Sequence, residues 1–292
     1  MQIILSEERA LFKKEYFKGW YFKCAAENQT VAFIPSLHYH GDKKEAFLQI
    51  ITDDEVFCLP FPHMRYSEKP LSVIMGKNIF SEKGIKLDIK TDDLTAQGTL
   101  RFGKPAPIRY DIMGPFKFVP FMQCRHSVYS MSHRVDGKIM FNGKQYAFHN
   151  GAGYIEGDRG TSFPSRYIWT QCGFSDGSLM LSVADIPVFG FGFTGIIGIV
   201  ILDGKEHRIA TYLGAKLKHI GNNTVIVSQG DSELTAKLIK KNSHPLSAPI
   251  NGKMSRTIHE SASCTAYYHF SYKGTILCKF TSDLASFEFE WI

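Results

Sequence analysis

The segment Gly151-Ala-Gly-Tyr-Ile-Glu-Gly-Asp-Arg-Gly-Thr-Ser-Phe-Pro-Ser-Arg-Tyr-Ile-Trp-Thr-Gln171 is the densest collection of groups able to do chemistry in this sequence. It sets Glu156, Asp158 and Arg159 among Tyr154, Phe163, Tyr167 and Trp169. Carboxyl groups beside aromatic faces suit a general acid working next to a developing carbocation. The glycines let the backbone approach another group closely. A glycine-rich interdomain linker with a structural Asp–Arg pair would look similar. The run Met122-Gln-Cys-Arg-His-Ser-Val-Tyr-Ser-Met-Ser-His-Arg134 is the second candidate. On one strand, Arg125, Ser127, Tyr129, Met131 and His133 would share a face, with His126, Ser130, Ser132 and Arg134 on the other. Either face is too polar for an ordinary barrel core, so the run reads as a ligand-lining strand or a solvent-facing edge strand. His38-Tyr-His40 could aim two imidazoles at a metal, but no third ligand stands nearby and no metal is expected.

These groups need elements to hold them, and turn chemistry dominates the chain. Asp136-Gly137, Asn142-Gly143, Asp176-Gly177, Asp203-Gly204 and Asn251-Gly252 are all hairpin dipeptides that tolerate positive φ. Between them lie β-rich runs such as 46–51, 179–183, 224–227 and 285–291, the last alternating polar and aromatic residues. Only Ser6 to Tyr16 reads as a helix, with acids in its first turn and lysines near its end. Phe189-Gly-Phe-Gly-Phe193 alternates as a strand does. It formally begins a GxGxxG, but no helix follows and no acid lies at the required distance, so a dinucleotide fold is rejected. No GxSxG, HExxH or P-loop occurs, and no cofactor is expected.

The order of these features repeats. Trp20, Cys24 and Pro35 are matched by Trp169, Cys172 and Pro187, and Asp93-Leu-Thr-Ala96 by Glu233-Leu-Thr-Ala236. Met122 to Arg125 is matched by Met254 to Arg256, and Tyr146-Ala-Phe148 by Phe287-Glu-Phe289. The expectation is an all-β chain of two similar domains, 1–158 and 159–292. Each is long enough for an antiparallel barrel with an interior cavity. Composition agrees, with 13% aromatic residues in a chain of 292.

The net charge of +6 is spread along the chain without a basic stripe, which excludes a nucleic-acid partner and allows peripheral contact with an anionic membrane surface. Six cysteines without a CxxC, and an N-terminus lacking a signal-peptide core, give a reduced cytoplasmic protein as the simplest expectation. The uncharged run 186–202 is at the lower limit for a spanning helix, but its proline and glycines favour a strand.

Taken together, these segments resemble the tocopherol cyclase family. The resemblance rests on Phe17-Lys-Gly-Trp-Tyr-Phe22 and on Tyr154-Ile-Glu-Gly-Asp-Arg-Gly-Thr-Ser-Phe-Pro-Ser-Arg-Tyr-Ile-Trp-Thr-Gln171. It implies a double lipocalin-like barrel related to hydroxyneurosporene synthase. It also implies an apolar ligand and closure of a chromanol ring on a prenylated quinol by alkene protonation. Two positions depart from the family pattern: Lys18 replaces an acid and Arg159 replaces a tryptophan. Glu156 or Asp158 would be the acid, with Arg159 orienting a quinol oxygen or holding Asp158 ionised. Trp20, Tyr21, Arg125, His126, His133, Phe163, Trp169 and Gln171 would line the ligand. Phe189, Phe191 and Phe193 would hold its tail or touch a membrane. A carrier would share the cavity without a proton donor, and an isoprenoid hydratase would admit water to the cation.

Overall fold

The computed structural model describes residues 15–291 except 28, 120, 121, 176, 189, 190, 242 and 243, and describes no side chain at 188, 191, 244 and 259–261. One sheet contains eleven strands. The first four are β1 (Glu15–Ala26), β2 (Gln29–His40), β3 (Lys43–Thr52) and β4 (Val56–Phe61). Short strands follow: β5 (Arg65–Glu68), β6 (Leu71–Met75), β7 (Asn78–Ser81), β8 (Gly84–Lys90) and β9 (Thr95–Phe102). Two long strands, β10 (Cys124–Phe141) and β11 (Lys144–Gly160), complete it.

The second sheet begins with β12 (Tyr167–Phe174), β13 (Gly177–Val188), β14 (Phe191–Leu202) and β15 (Lys205–Ala210). It continues through β16 (Lys216–Gly221), β17 (Thr224–Gln229) and β18 (Ser232–Lys240). Strand β19 (His244–Ile250) pairs with the edge of β20 (Lys253–Tyr272), which hairpins into β21 (Thr275–Glu290).

The spatial orders show the repeat. The first sheet runs β4-β3-β2-β1-β11-β10-β9-β8-β7-β6-β5 and the second β15-β14-β13-β12-β21-β20-β18-β17-β16. Thus β1 and β12 correspond, as do β11 and β21, and β10 and β20. Each sheet curls around its own apolar core, one centred on Phe22, Phe33, Phe80 and Phe148 and the other on Tyr268, Phe270 and Phe287. Gln229 helps close the second curl, donating to Arg208 O and accepting from Ala210 N across β17 and β15. These are the two lipocalin-like antiparallel barrels expected from the sequence. A third core, containing Tyr21, Met131, Tyr154, Trp169, Met180 and Ile258, fills the space between the sheets.

Three expectations are corrected. The expected N-terminal helix is not seen among the described residues: Glu15 and Tyr16 begin β1, and the rest of that segment lies outside them. Asp136-Gly137 is a bulge inside β10, whereas Asn142, Asp203 and Asn251 make the positive-φ turns expected of them; Asp176 lies outside the described residues. Tyr146-Ala-Phe148 is not the counterpart of Phe287-Glu-Phe289, because the first sits at the hairpin end of β11 and the second near the far end of β21. Asp93–Ala96 and Met122–Arg125 lead into β9 and β10, while their matches Glu233–Ala236 and Met254–Arg256 lie within the corresponding β18 and β20. No helix of the described residues is long and apolar enough to cross a membrane.

Candidate active site

A cavity of about 160 Å³ lies between the sheets where β1, β11 and β12 meet. Strand alternation explains its contents. On β11, Glu156 and Asp158 point to one face; across the ladders Glu156 stands opposite Tyr21 and Val128, and Asp158 opposite Gly19 and His126. Gly157, between the two acids, must be small. A Cβ there would lie 2.8 Å from Gly19 O and 3.1 Å from the Trp20 ring. The loop between β9 and β10 contributes Met113, Phe116 and Met122 to the wall.

His126 is the centre of the site. Its Nδ1 lies 2.9 Å from Asp158 Oδ1, and its Nε2 lies 3.0 Å from Glu156 Oε2. The first contact is a hydrogen bond; the second is an ion-pair distance without hydrogen-bond alignment. Burial alone would push His126 below its ordinary value, but the two carboxylates outweigh it and hold the imidazole well above. An imidazolium is therefore the form this cluster keeps. Glu156 Oε2 also accepts from Tyr154 OH and from Trp169 Nε1 at 3.1 Å. That oxygen therefore has two hydrogen-bond donors and the His126 ring around it. Asp158 accepts from His126 and, at 3.6 Å, from the Cys124 thiol; its side chain is 24% exposed against 6% for Glu156, so it is the more open of the two acids.

Among the described residues, His126, Glu156 and Asp158 are also the His/Cys/Asp/Glu group whose atoms converge closely enough for a metal ion. Both His126 nitrogens already face carboxylate oxygens, so an ion would have to displace these contacts. His38 and His40 do not act together. His38 is buried against the cavity with Nε2 2.9 Å from Ser36 Oγ, while His40 is exposed beside Asn251 O. Burial lowers His38 to about 4, so it is a neutral wall residue.

Of the candidates read from sequence, Trp20, Tyr21, His126, Glu156, Asp158, Phe163 and Trp169 all line the cavity. Phe193 lines it too, 5.9 Å from Phe116 between ring centroids. Phe189 and the side chain of Phe191 lie outside the described residues. Four candidates point elsewhere. Arg125 donates to Val119 O. His133 is buried against Phe102, bonded to Ser130 and lowered to about 4 by burial. Gln171 is buried two residues along β12 from Trp169, outside the cavity wall.

Arg159 is the fourth, lying on the opposite face of β11 from Asp158. It sits 3.8 Å from Glu68, which also pairs with Lys18. Lys18 and Arg159 are direct cross-strand neighbours. The two departures from the family pattern therefore share one counter-charge on β5. Arg159 faces away from Asp158 and neutralises Glu68 instead.

Further polar lining is Ser36, Gln49, Ser182, Ser247 and Glu288, none expected from the sequence, and His38, considered there only as a metal ligand. Glu288 is buried, accepts from Tyr167 OH, and stands opposite Trp169 across β12 and β21. The alternation Phe287-Glu-Phe289-Glu-Trp291 carried that signal. With the phenylalanines packed in or against the second core, the glutamates face the other side.

The tocopherol cyclase-like family model matches residues 91–187. Over that span the chain is similar to this family. The tocopherol cyclase-like span includes His126, Glu156, Asp158 and Trp169, while Trp20 and Glu288 join the site from outside it. No curated protein sequence matches the chain. Similar solved structures include CghA, determined with Sch210972, at 10% identity, covering 95% of this chain and 89% of that one with a TM-score of 0.60. A protein described as AttH from Nitrosomonas europaea aligns at 10% identity over 100% and 98% of the two chains, TM-score 0.54. Kievitone hydratase from Nectria haematococca aligns at 8% identity over 96% and 90%, TM-score 0.51. At such identities these likenesses carry the fold alone.

Proposed function

We propose that the chain binds an apolar isoprenoid-bearing ring compound, such as a prenylated quinol, between its two sheets and protonates an alkene of that ligand. The observation that carries this reading is an ion-paired imidazolium and two carboxyl groups set into an aromatic-walled, largely buried cavity. Asp158 is the proton donor in this reading. Glu156 is committed to Tyr154, Trp169 and the ion pair with His126, whereas Asp158 is the more open of the two acids. His126 and Glu156 hold Asp158 in place. The proton held by the His126–Asp158 pair passes through the Asp158 carboxyl to the less substituted alkene carbon, leaving a tertiary cation and a neutral imidazole. The faces of Trp20, Tyr21 and Trp169 favour that cation, and the scarcity of water protects it. The phenol oxygen then bonds to the cation and returns its proton to the His126–Asp158 pair, closing a ring without change of mass.

Hydration is the second reading. Glu288, Ser182 and Ser247 line the same cavity and offer a place to hold and deprotonate a water. Kievitone hydratase shares the fold.

The test is incubation with a prenylated quinol followed by mass spectrometry. A product of unchanged mass supports cyclisation, and a gain of one water supports hydration. Asp158→Asn is expected to lower turnover by about a hundredfold or more while ligand binding persists. Full activity in that variant would remove Asp158 as the donor, and stoichiometric binding with no product would make the chain a carrier.

A further inference from the structure

A second cavity, of about 800 Å³, opens at one end of the second barrel, where the turns after β12, β14 and β20 gather. It shares no lining residue with the cavity between the sheets. Its floor is the ring pair Phe174 and Phe280, with centroids 4.4 Å apart, and Leu202 and Leu277 form apolar walls. Lys205, His207 and Lys279 stand at its edge against a single acid, Asp203. Neither Lys205 nor Lys279 has an ion-pair partner among the described residues.

The repeat explains why this end is open. In the first barrel the same end is closed. Tyr146 stands opposite core residue Ile139, packs edge-on against Phe141 at 5.4 Å, and donates to Asp54 in the β3–β4 turn at 3.2 Å. Lys144 pairs with the same Asp54. In the second barrel the position opposite core residue Phe270 is Cys278. A thiol is too short to replace a phenol ring. Tyr272, at the last position of β20 as Phe141 is at the last of β10, is 45% exposed where Phe141 is 3% exposed. The stopper of one barrel has thus become a groove in the other, and its spare charges are positive.

We propose that this groove binds one amphipathic anion, with its apolar body on the Phe174–Phe280 floor and its anionic head at Lys205 and Lys279. Apolar floor area supplies the affinity, and the two ammonium groups select charge and orientation. The site is independent of the chemistry proposed for the other cavity.

Titration calorimetry of the full chain with dodecanoate, kept below its micelle threshold, tests the proposal. One binding site is expected, with dodecanol bound at least about tenfold more weakly. Lys279→Glu, on the exposed rim, should weaken dodecanoate by about tenfold or more with an unchanged melting temperature. Cys278→Tyr should restore the stopper and abolish binding, while Asp158→Asn should leave it intact. Should Cys278→Tyr fail to fold, Lys279→Glu decides. Several results would overturn the proposal: no binding, equal affinity for the alcohol, binding retained in Lys279→Glu, or binding of phosphatidylglycerol vesicles without binding of the monomer.

Discussion

His126 concentrates the chemistry of one cavity into a single protonation state. Its carboxylate neighbours raise its affinity for a proton in the folded chain above that in the unfolded chain, near 6.5. The stability it contributes is therefore fully present below pH about 6.5 and is lost as pH rises through its folded value. The Cε1 proton resonance of His126 is expected to keep the imidazolium position at pH about 8. Titration near the ordinary value would contradict the ion-paired cluster. His38 and His133 behave oppositely. Burial lowers both to about 4, so their contribution is complete above pH about 6.5 and declines on acidification toward 4. Glu68 illustrates how a departure from a motif is absorbed. A single carboxylate answers Lys18 and Arg159 together, and burial opposes its ionisation less than the two cations favour it.

Strands, bulges and turns decide which side chains reach the cavity. Strand β10 changes register after Val128 and again after Ser130 and Val135. Two of these shifts lie between Arg125 and His133, and their partners Arg159 and Gly153 share a face of β11, so the two stay grouped on the face opposite His126 and Asp158. His126 lies before the first shift and reaches the cavity; His133 lies beyond it and packs against Phe102 instead. Gly98 of β9 is an element-scale constraint. Its φ is +151°, and a Cβ there would lie 2.3 Å from Lys138 O on β10. Gly98→Ala is expected to destabilise the chain by at least about 3 kcal/mol, measured by urea unfolding. A neutral result would mean that β9 and β10 do not approach as described.

The two sheets act as one body because polar links and a shared core cross between them. Lys23 of β1 is buried and donates to Leu284 O at 2.6 Å and Ser286 Oγ at 2.8 Å on β21. Tyr21 OH meets the same Ser286 at 3.1 Å. Lys23→Ala removes these donors together with a packed stem and is expected to cost about 2 kcal/mol. Hydrogen exchange should then quicken in both β8 and β17, which lie far from Lys23 in opposite sheets. Acceleration confined to one sheet would show that the halves unfold separately.

What the sequence determined by itself was local. Asn142-Gly143, Asp203-Gly204 and Asn251-Gly252 turn because their own backbones accept positive φ, and the runs between them become strands because of their alternation and β-branching. The repeat was legible because the matched residues occur in the same order along corresponding strands, although not at the same positions on them. The acids of the site were visible too, because Glu156 and Asp158 share a face of any strand that holds them both. What only the tertiary structure decided depended on partners distant in the chain. The same Asp-Gly pair turns the chain at 203 but forms a bulge at 136, because β9 and β11 hold β10 in register on both sides. Glu288 joins Glu156 in one cavity, and Glu68 neutralises Lys18 and Arg159, only once the sheets have curled and met. Turn preference acts over a few bonds, whereas register and packing bring together residues separated by tens to hundreds of positions.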